Sequence, residues 1–246
     1  MNTAFDIAGV GLSNYQRALD ILAHNVTNLN TTGFKRTDVR FSDILAASAG
    51  EPRPAAGARL TPHTVMSVQG EMQQTGGALD LAIDGLGFIE LMGDHGESVL
   101  WRGGHLRLNE DGYLTADNGL TLRAMINLPY DSAELEIAED GRVLSRDGTG
   151  ETREIGHIDL VRVMDDGALT ARSGGYYTLE PGTRLVDVQP GEDGAGLLRH
   201  GYVERSNVDL SAEMIELMII QRAYTANAQV VQAADQLASI TNNLRR

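Results

Sequence analysis

The chain has 246 residues, 42% of them apolar and 28 of them glycine, with a formal net charge of -14. That apolar content excludes a disordered chain, and so acidic a balance excludes a surface built for nucleic acid or anionic membrane, which needs clustered Lys and Arg. With no cysteine there is no disulfide, no thiolate nucleophile and no Cys-ligated metal.

In chain order, the start MNTAFDIAGVGLSNYQRALD lacks the basic and apolar regions of a signal peptide, and no later stretch is apolar for the length of a membrane span. On these features alone the chain is cytoplasmic, or exported by a route without a cleaved leader. Phe5, Ala8, Leu12, Tyr15, Leu19, Leu22, Val26 and Leu29 recur at alternating steps of 3 and 4. Asn14, Gln16, Arg17, Asp20, His24 and Asn28 lie between them, so residues 1–34 read as one amphipathic helix with a coiled-coil-like seam. Gly33 is expected to stop it in the left-handed conformation.

Residues 35–76 read as a linker or extended segment. Val39, Phe41, Ile44 and Leu45 give way to AASAGEPRPAAGARLTPHT (46–64), rich in proline and small residues. From 77 to 204 the period becomes 2, as in Leu79, Leu81 and Ile83, or Ile89 and Leu91 against Phe88, Glu90 and Met92. Asp-Gly or Asn-Gly pairs at 84–85, 111–112, 118–119, 140–141, 147–148, 166–167 and 193–194 predict hairpin turns, because those residues reach positive φ cheaply. Such spacing predicts an antiparallel all-β domain of barrel or sandwich type.

Residues 205–246 hold no proline or glycine. Ser206 and Asp209 form an S-x-x-D start signal. Leu210, Leu217, Ile220, Tyr224, Val231, Ala234, Ala238 and Thr241 recur at steps near 3 and 4, while Met214–Ile220 is apolar on almost every face. Neighbours on several sides are therefore expected. The fold class is α+β: two long terminal helices that pair, and a central β domain.

The chain carries few chemical motifs. The loops NEDG (109–112), EDGR (139–142), DDGA (165–168) and EDGAG (192–196) lack the ligand alternation and closing Glu of an EF-hand, and read as turns rather than metal sites. The histidines at 24, 63, 95, 105, 157 and 200 have no H-x-x-x-H or H-E-x-x-H spacing. Gly85-Leu86-Gly87 precedes a strand rather than a helix and has no third glycine in place, so it is not a dinucleotide loop. Trp101 sits in a strand-like run and reads as core. No catalytic residue, metal, cofactor or small-molecule substrate is expected.

Three stretches together carry a resemblance. They are Ala23–Lys35 (AHNVTNLNTTGFK), then Leu79–Phe88 (LDLAIDGLGF) with Arg102-Gly103-Gly104 and Asn109–Leu114, and finally Gly201–Asp209 (GYVERSNVD) with Gln221–Tyr224 and Asn227-Ala228. In this order they resemble the axial proteins of the bacterial flagellum, the rod and hook family. The resemblance implies a D0 layer of paired terminal helices inside a tube and a β-rich D1 layer outside. It also implies polymerisation with further copies, contact with other rod and hook axial proteins, and export by the flagellar type III apparatus. Contact with the P and L ring proteins is compatible with it.

Candidate assembly residues are Leu12, Leu19, Asn25, Asn28, Gly33 and Phe34 at one end, and Leu217, Ile220, Gln221, Arg222, Tyr224, Asn227 and Val231 at the other. Polar groups such as Gln221, Arg222 and Asn227 in a packed seam fix register at some cost in stability. Gly194–Leu198 is similar to distal rod members, whereas the short stretch from Phe41 to Gly70 is similar to proximal rod or hook members. A typical hook member would carry a larger outer domain, for which this chain has no room. The reading is therefore a rod subunit, the distal rod slightly preferred, with a proximal rod or short hook-type subunit as the alternative. A reading of another class is a secreted calcium- or glycan-binding β-domain with oligomerising helical arms.

Overall fold

Asp209 starts the longest element. Its carboxylate accepts from the backbone N–H of Ser211 at 2.8 Å and of Ala212 at 3.4 Å, which satisfies donors that have no partner in the first turn. Helix α2 then runs over Leu210–Leu244, about 52 Å at ~1.5 Å per residue. The cap is therefore Asp209 and not Ser206, whose hydroxyl accepts from Val208 N–H at 3.3 Å in the extended chain before the helix.

Helix α1 covers Asn2–Thr27. It ends where the sequence turns to Asn, Thr and Gly: Thr31 N–H donates to Asn28 O at 3.1 Å, and the Thr31 hydroxyl bonds the Asn28 side chain at 3.1 Å. Residues that bond their own backbone compete with the helix ladder. The helix thus stops ahead of Gly33, which does take positive φ (+67°) but serves the chain beyond the helix rather than its last turn.

The structure is a computed structural model, and it describes residues 2–42, 59–66, 68–93, 96–130, 132–164, 169–172, 174–180 and 182–244. The stretch 43–58 and the pair Asp166-Gly167 lie outside the described residues, as do the side chains of Phe5, Ala238 and Thr241.

Two units result. Unit 1 comprises Met1–Thr27, Thr37–His63 and Asp209–Arg246; unit 2 comprises Asn28–Arg36 and Thr64–Val208. The chain passes between them at 27/28, 36/37, 63/64 and 208/209. In unit 1, α1 lies against α2 and against strand β1 (Thr37–Ser42), which pairs with β2 (Arg59–Thr64). Those strands, and β3 (Met72–Gln74), run through the stretch read as a linker.

Unit 2 holds β3 and the remaining strands. They are β4 (Asp80–Asp84), β5 (Ile89–Met92), β6 (Ser98–Trp101), β7 (Gly103–Leu108), β8 (Leu114–Ala116) and β9 (Thr121–Leu122), then β10 (Ser132–Ile137), β11 (Arg142–Asp147) and β12 (Thr152–His157). After these come β13 (Leu160–Val163), β14 (Leu169–Arg172), β15 (Tyr176–Leu179), β16 (Leu185–Val188), β17 (Leu197–His200) and β18 (Tyr202–Glu204). Nine form one sheet in the order β14-β15-β6-β5-β9-β8-β7-β4-β17, and three more form β10-β11-β12. Strands β13-β16 and β18-β3 make two-stranded sheets. The described pairings in unit 2 are antiparallel, so the central region is antiparallel β in several sheets.

Alternation places side chains on both faces of the large sheet. Ile89, Leu91, Val99 and Trp101 enter the main core with Leu81, Ile83, Leu114 and Leu122. Phe88, Leu100 and Tyr177 enter a second core with Val161 and Leu169. Trp101 is 2% exposed and stacks on Tyr176.

The turn signals divide by outcome. Asp111-Gly112, Asn118-Gly119, Asp140-Gly141 and Asp147-Gly148 lie in hairpins joining β7-β8, β8-β9, β10-β11 and β11-β12. Asp84-Gly85 and Asp193-Gly194 do not, because β4 pairs with β7 and β17 while β16 pairs with β13. There the same dihedral freedom lets two loops touch: Gly196 N–H donates to Leu86 O at 2.7 Å, and a Cβ on Gly85 would meet Gly196 Cα at 2.7 Å.

Candidate assembly surface and charge node

The helix pair of unit 1 is built on small residues. Ala18 is fully buried, and Leu22, Ala8 and Ile220 are nearly so; Tyr15, Leu19, Ile21, Val39 and Leu217 pack partly buried around this cluster. At Gly11 the backbone approaches α2 so closely that a Cβ would collide with the amide of Asn227. That amide donates to Ala8 O at 3.2 Å, pinning one helix to the other where no side chain intervenes. The line of contact on α1 therefore runs Ala8, Gly11, Tyr15, Ala18, Leu22 and Asn25, offset from the stripe of large residues.

Asn25 closes the pair at its other end. Its side chain accepts from Thr37 N–H at 3.0 Å, donates to Thr37 O at 2.9 Å and donates to the Glu213 carboxylate at 3.1 Å. Asn25 is fully buried and Glu213 1% exposed. One amide thus holds β1 and α2 to α1 and satisfies polar groups that burial would otherwise penalise.

The other side of α2 is uncovered. Met214, Ile215, Met218, Ile219, Val230, Leu237 and Ile240 are each 49–63% exposed, and Leu210 and Tyr224 about 40%. Such a run of large apolar side chains on one helix marks an interaction surface.

Of the residues singled out from the sequence, Leu12, Leu19, Leu217, Asn227 and Val231 are half-buried, and Asn25 and Ile220 are buried within the helix pair. Gln221, Arg222 and Tyr224 are exposed. Asn28, Gly33 and Phe34 are buried and belong to unit 2.

Unit 2 contains a site that sequence reasoning did not single out. Glu204 on β18 is 1% exposed, and its carboxylate meets Lys35 Nζ at 2.5 Å and Arg102 Nη2 at 2.9 Å. It also accepts from Gly70 N–H at 2.9 Å. Arg102 donates to Gly87 O at 2.5 Å and Gly85 O at 2.8 Å and lies over the Phe88 ring. Lys35 Nζ has Val68 O at 2.9 Å as its further acceptor. Burial lowers the Lys35 pKa against the attraction of Glu204, and Arg102 lowers it further.

Beside this node the Tyr177 hydroxyl accepts from Lys35 N–H and donates to Gly33 O, both at 3.0 Å. Asn207 accepts from Arg36 N–H at 2.6 Å and donates to Val68 O at 2.9 Å. Each of the three sequence stretches quoted above supplies one charge: Lys35, Arg102 and Glu204. A charged residue ending an apolar strand, as Glu204 follows Val203, is the signal available in sequence. It does not say which partners meet it.

Two of the acidic turn carboxylates are engaged within their own loops: Asp140 accepts from Arg142 N–H at 3.2 Å and Arg142 Nε at 2.8 Å. The Asp147 carboxylate accepts from Thr149 N–H, the Thr149 hydroxyl and Glu151 N–H. Among the described residues no group of three or more His, Asp and Glu side chains is arranged to hold a metal ion.

Three family models match this chain. One described as flagella basal body rod protein matches residues 5–35, one described as flagellar hook protein FlgE/F/G D1 domain matches 82–145, and one described as flagellar basal body rod FlgEFG protein C-terminal matches 199–244. The flagellar basal-body rod protein FlgG of Bacillus subtilis is 32% identical over 96% of both chains, and that of Borreliella burgdorferi 31% over the full length of both. The flagellar basal-body rod protein FlgF of Caulobacter vibrioides is 32% identical over 93% of both. Matched at both termini and in the β region, the chain belongs to the flagellar basal-body rod family, whose members are structural proteins rather than enzymes.

Proposed function

We propose that this chain is a subunit of the distal part of the rod, polymerising through its terminal helices while unit 2 forms the outer layer. The observation that carries polymerisation is the uncovered apolar side of α2, with Ile215 and Ile219 each 61% exposed and Met218 56%. At ~25 cal/mol per Å² of apolar surface removed from water, a row of such side chains favours association strongly. A second copy is the natural cover, because a head-to-tail contact that does not close generates a helical array. Other rod and hook subunits presenting similar helices fit the same face.

The test compares neighbouring residues. Ile219→Asp leaves the isolated subunit's melting within about 0.5 kcal/mol of the parent, as for an exposed position, and abolishes filament growth and swimming. Ile220→Asp puts a carboxylate into the helix pair itself and costs several kcal/mol in the monomer. Normal swimming by Ile219→Asp would show that this face is not an interface.

The distal assignment is supported by near-full-length relatives named FlgG. The FlgF relative of comparable identity favours the proximal rod as a second reading. Expression in strains lacking one or the other gene separates them: restored swimming in the FlgG deletion, and not in the FlgF deletion, is the expected result. Export by the flagellar type III apparatus follows from this proposal, and loss of secretion in a strain without that apparatus tests it.

A further inference from the structure

Segment 28–36 precedes the excursion 37–63, yet it is part of unit 2. Besides its bonds to Tyr177, Val65 and Val68, it is attached to one short stretch near the far end of the β region. Gly33 N–H donates to Glu204 O at 2.8 Å, Lys35 Nζ meets the Glu204 carboxylate at 2.5 Å, and Arg36 N–H donates to Asn207 at 2.6 Å. Phe34 and Lys35 are each 1% exposed in that position.

The two cations are seated differently. Arg102 has carbonyl acceptors at Gly87 and Gly85 and the Phe88 ring beneath it, all within residues 85–102. Lys35 has Val68 O and Glu204. Take Glu204 away and a buried ammonium faces a buried guanidinium with no anion between them. An isolated buried charge costs several kcal/mol.

We propose that Glu204 is a folding latch: segment 28–36 docks into unit 2 only after β18 arrives with the counter-charge, so the β region of an unfinished chain stays open at that seam. Sequence distance agrees, since Lys35 and Glu204 are separated by 169 residues, and contacts between distant segments form late because loop closure must precede them.

Trp101, the single tryptophan of the chain, is buried in unit 2 and reports its folding. The experiment is stopped-flow unfolding and refolding of the full chain, followed by its fluorescence, for Glu204→Gln, Lys35→Met and the double variant. At pH 7, Glu204→Gln is expected to lower the folding constant roughly a hundredfold, as when one partner of a buried pair is removed. That loss should lie in faster unfolding, with refolding changed by less than about threefold, since a contact formed late affects only the way out.

The charges facing Lys35 are Arg102 and Glu204, with the neutral Tyr177 hydroxyl on its backbone. Without Glu204 the fold disfavours the Lys35 ammonium still more. The unfolded chain then binds the extra proton, and stability rises with pH toward the unfolded lysine value of about 10.4. The deficit of Glu204→Gln should therefore shrink roughly tenfold between about pH 7 and 9.5, and Lys35→Met in that background should restore a similar factor. A pH-independent deficit with additive variants, or refolding slowed as much as unfolding is accelerated, overturns the latch. If Glu204→Gln does not fold at all, the double variant decides: folding supports the proposal and failure to fold overturns it.

Discussion

At the scale of single residues, burial and ionisation are coupled most visibly at the tyrosines beside the main cores. Burial pushes the Tyr177 phenol well above its ordinary value, and burial with the Asp117 carboxylate does the same for Tyr176. A phenol raised in the fold binds its proton where the unfolded chain has lost it. Its contribution is therefore complete below about pH 10 and is lost as pH climbs beyond that. Tyr177→Phe is expected to cost about 1 kcal/mol at neutral pH, since Gly33 O and Lys35 N–H lose their shared partner. It should also flatten the decline in stability above about pH 10, measured as denaturant midpoints across the alkaline range. An unchanged decline would assign alkaline unfolding to other groups.

At the scale of elements, the helix pair makes opposite predictions for two glycines two residues apart, about half a turn of the helix. Nothing lies near a Cβ built on Gly9, whereas one on Gly11 strikes Asn227. Gly9→Ala should raise helix stability by about 0.5–1 kcal/mol through propensity alone. Gly11→Ala receives the same benefit but forces the helices apart, and overpacking of about 1–3 kcal/mol outweighs it. Thermal melts of the monomer by circular dichroism give the two signs directly, and equal gains would mean that α1 and α2 do not touch there.

These positions also show what was legible in the sequence. The stripe Ala8, Leu12, Tyr15, Leu19, Leu22 and Val26 locates α1 and its amphipathic character correctly, because large apolar residues at steps of 3 and 4 have no other regular use. It finds Ala8, Tyr15 and Leu22 on the line of closest contact but misses the rest of that line, since Gly11, Ala18 and Asn25 face α2 or β1 while Val26 is 39% exposed. Close packing rewards small residues, and hydrophobicity reads them as weak signals. The β region was legible from period-2 runs and Asp-Gly turns. The Lys35–Arg102–Glu204 node was not, because pattern reports each segment's local state and not which segments meet.

At the scale of the whole molecule, charge is distributed unevenly. Of the 34 acidic and 20 basic residues, 25 and 13 respectively fall in unit 2, so almost all of the net charge of -14 belongs there. The helical unit is close to neutral. The association through the helices proposed above would bring together strongly acidic β regions that repel one another, and salt weakens that repulsion. Filament growth, followed by light scattering, is expected to accelerate from about 10 mM to about 500 mM salt as the screening length falls from about 30 Å to a few Å. Slower growth in salt would instead indicate that ion pairs between copies drive assembly.

The path of the chain has a mechanical meaning as well. Because α1, the segment 28–36, the excursion 37–63, the β region and α2 alternate between the units, four peptide linkages join one unit to the other. A shaft subunit with a single tether would concentrate every twisting load on one bond and its flanking residues. Here four linkages are available to carry it, and cutting any one of them leaves the units joined through the other three.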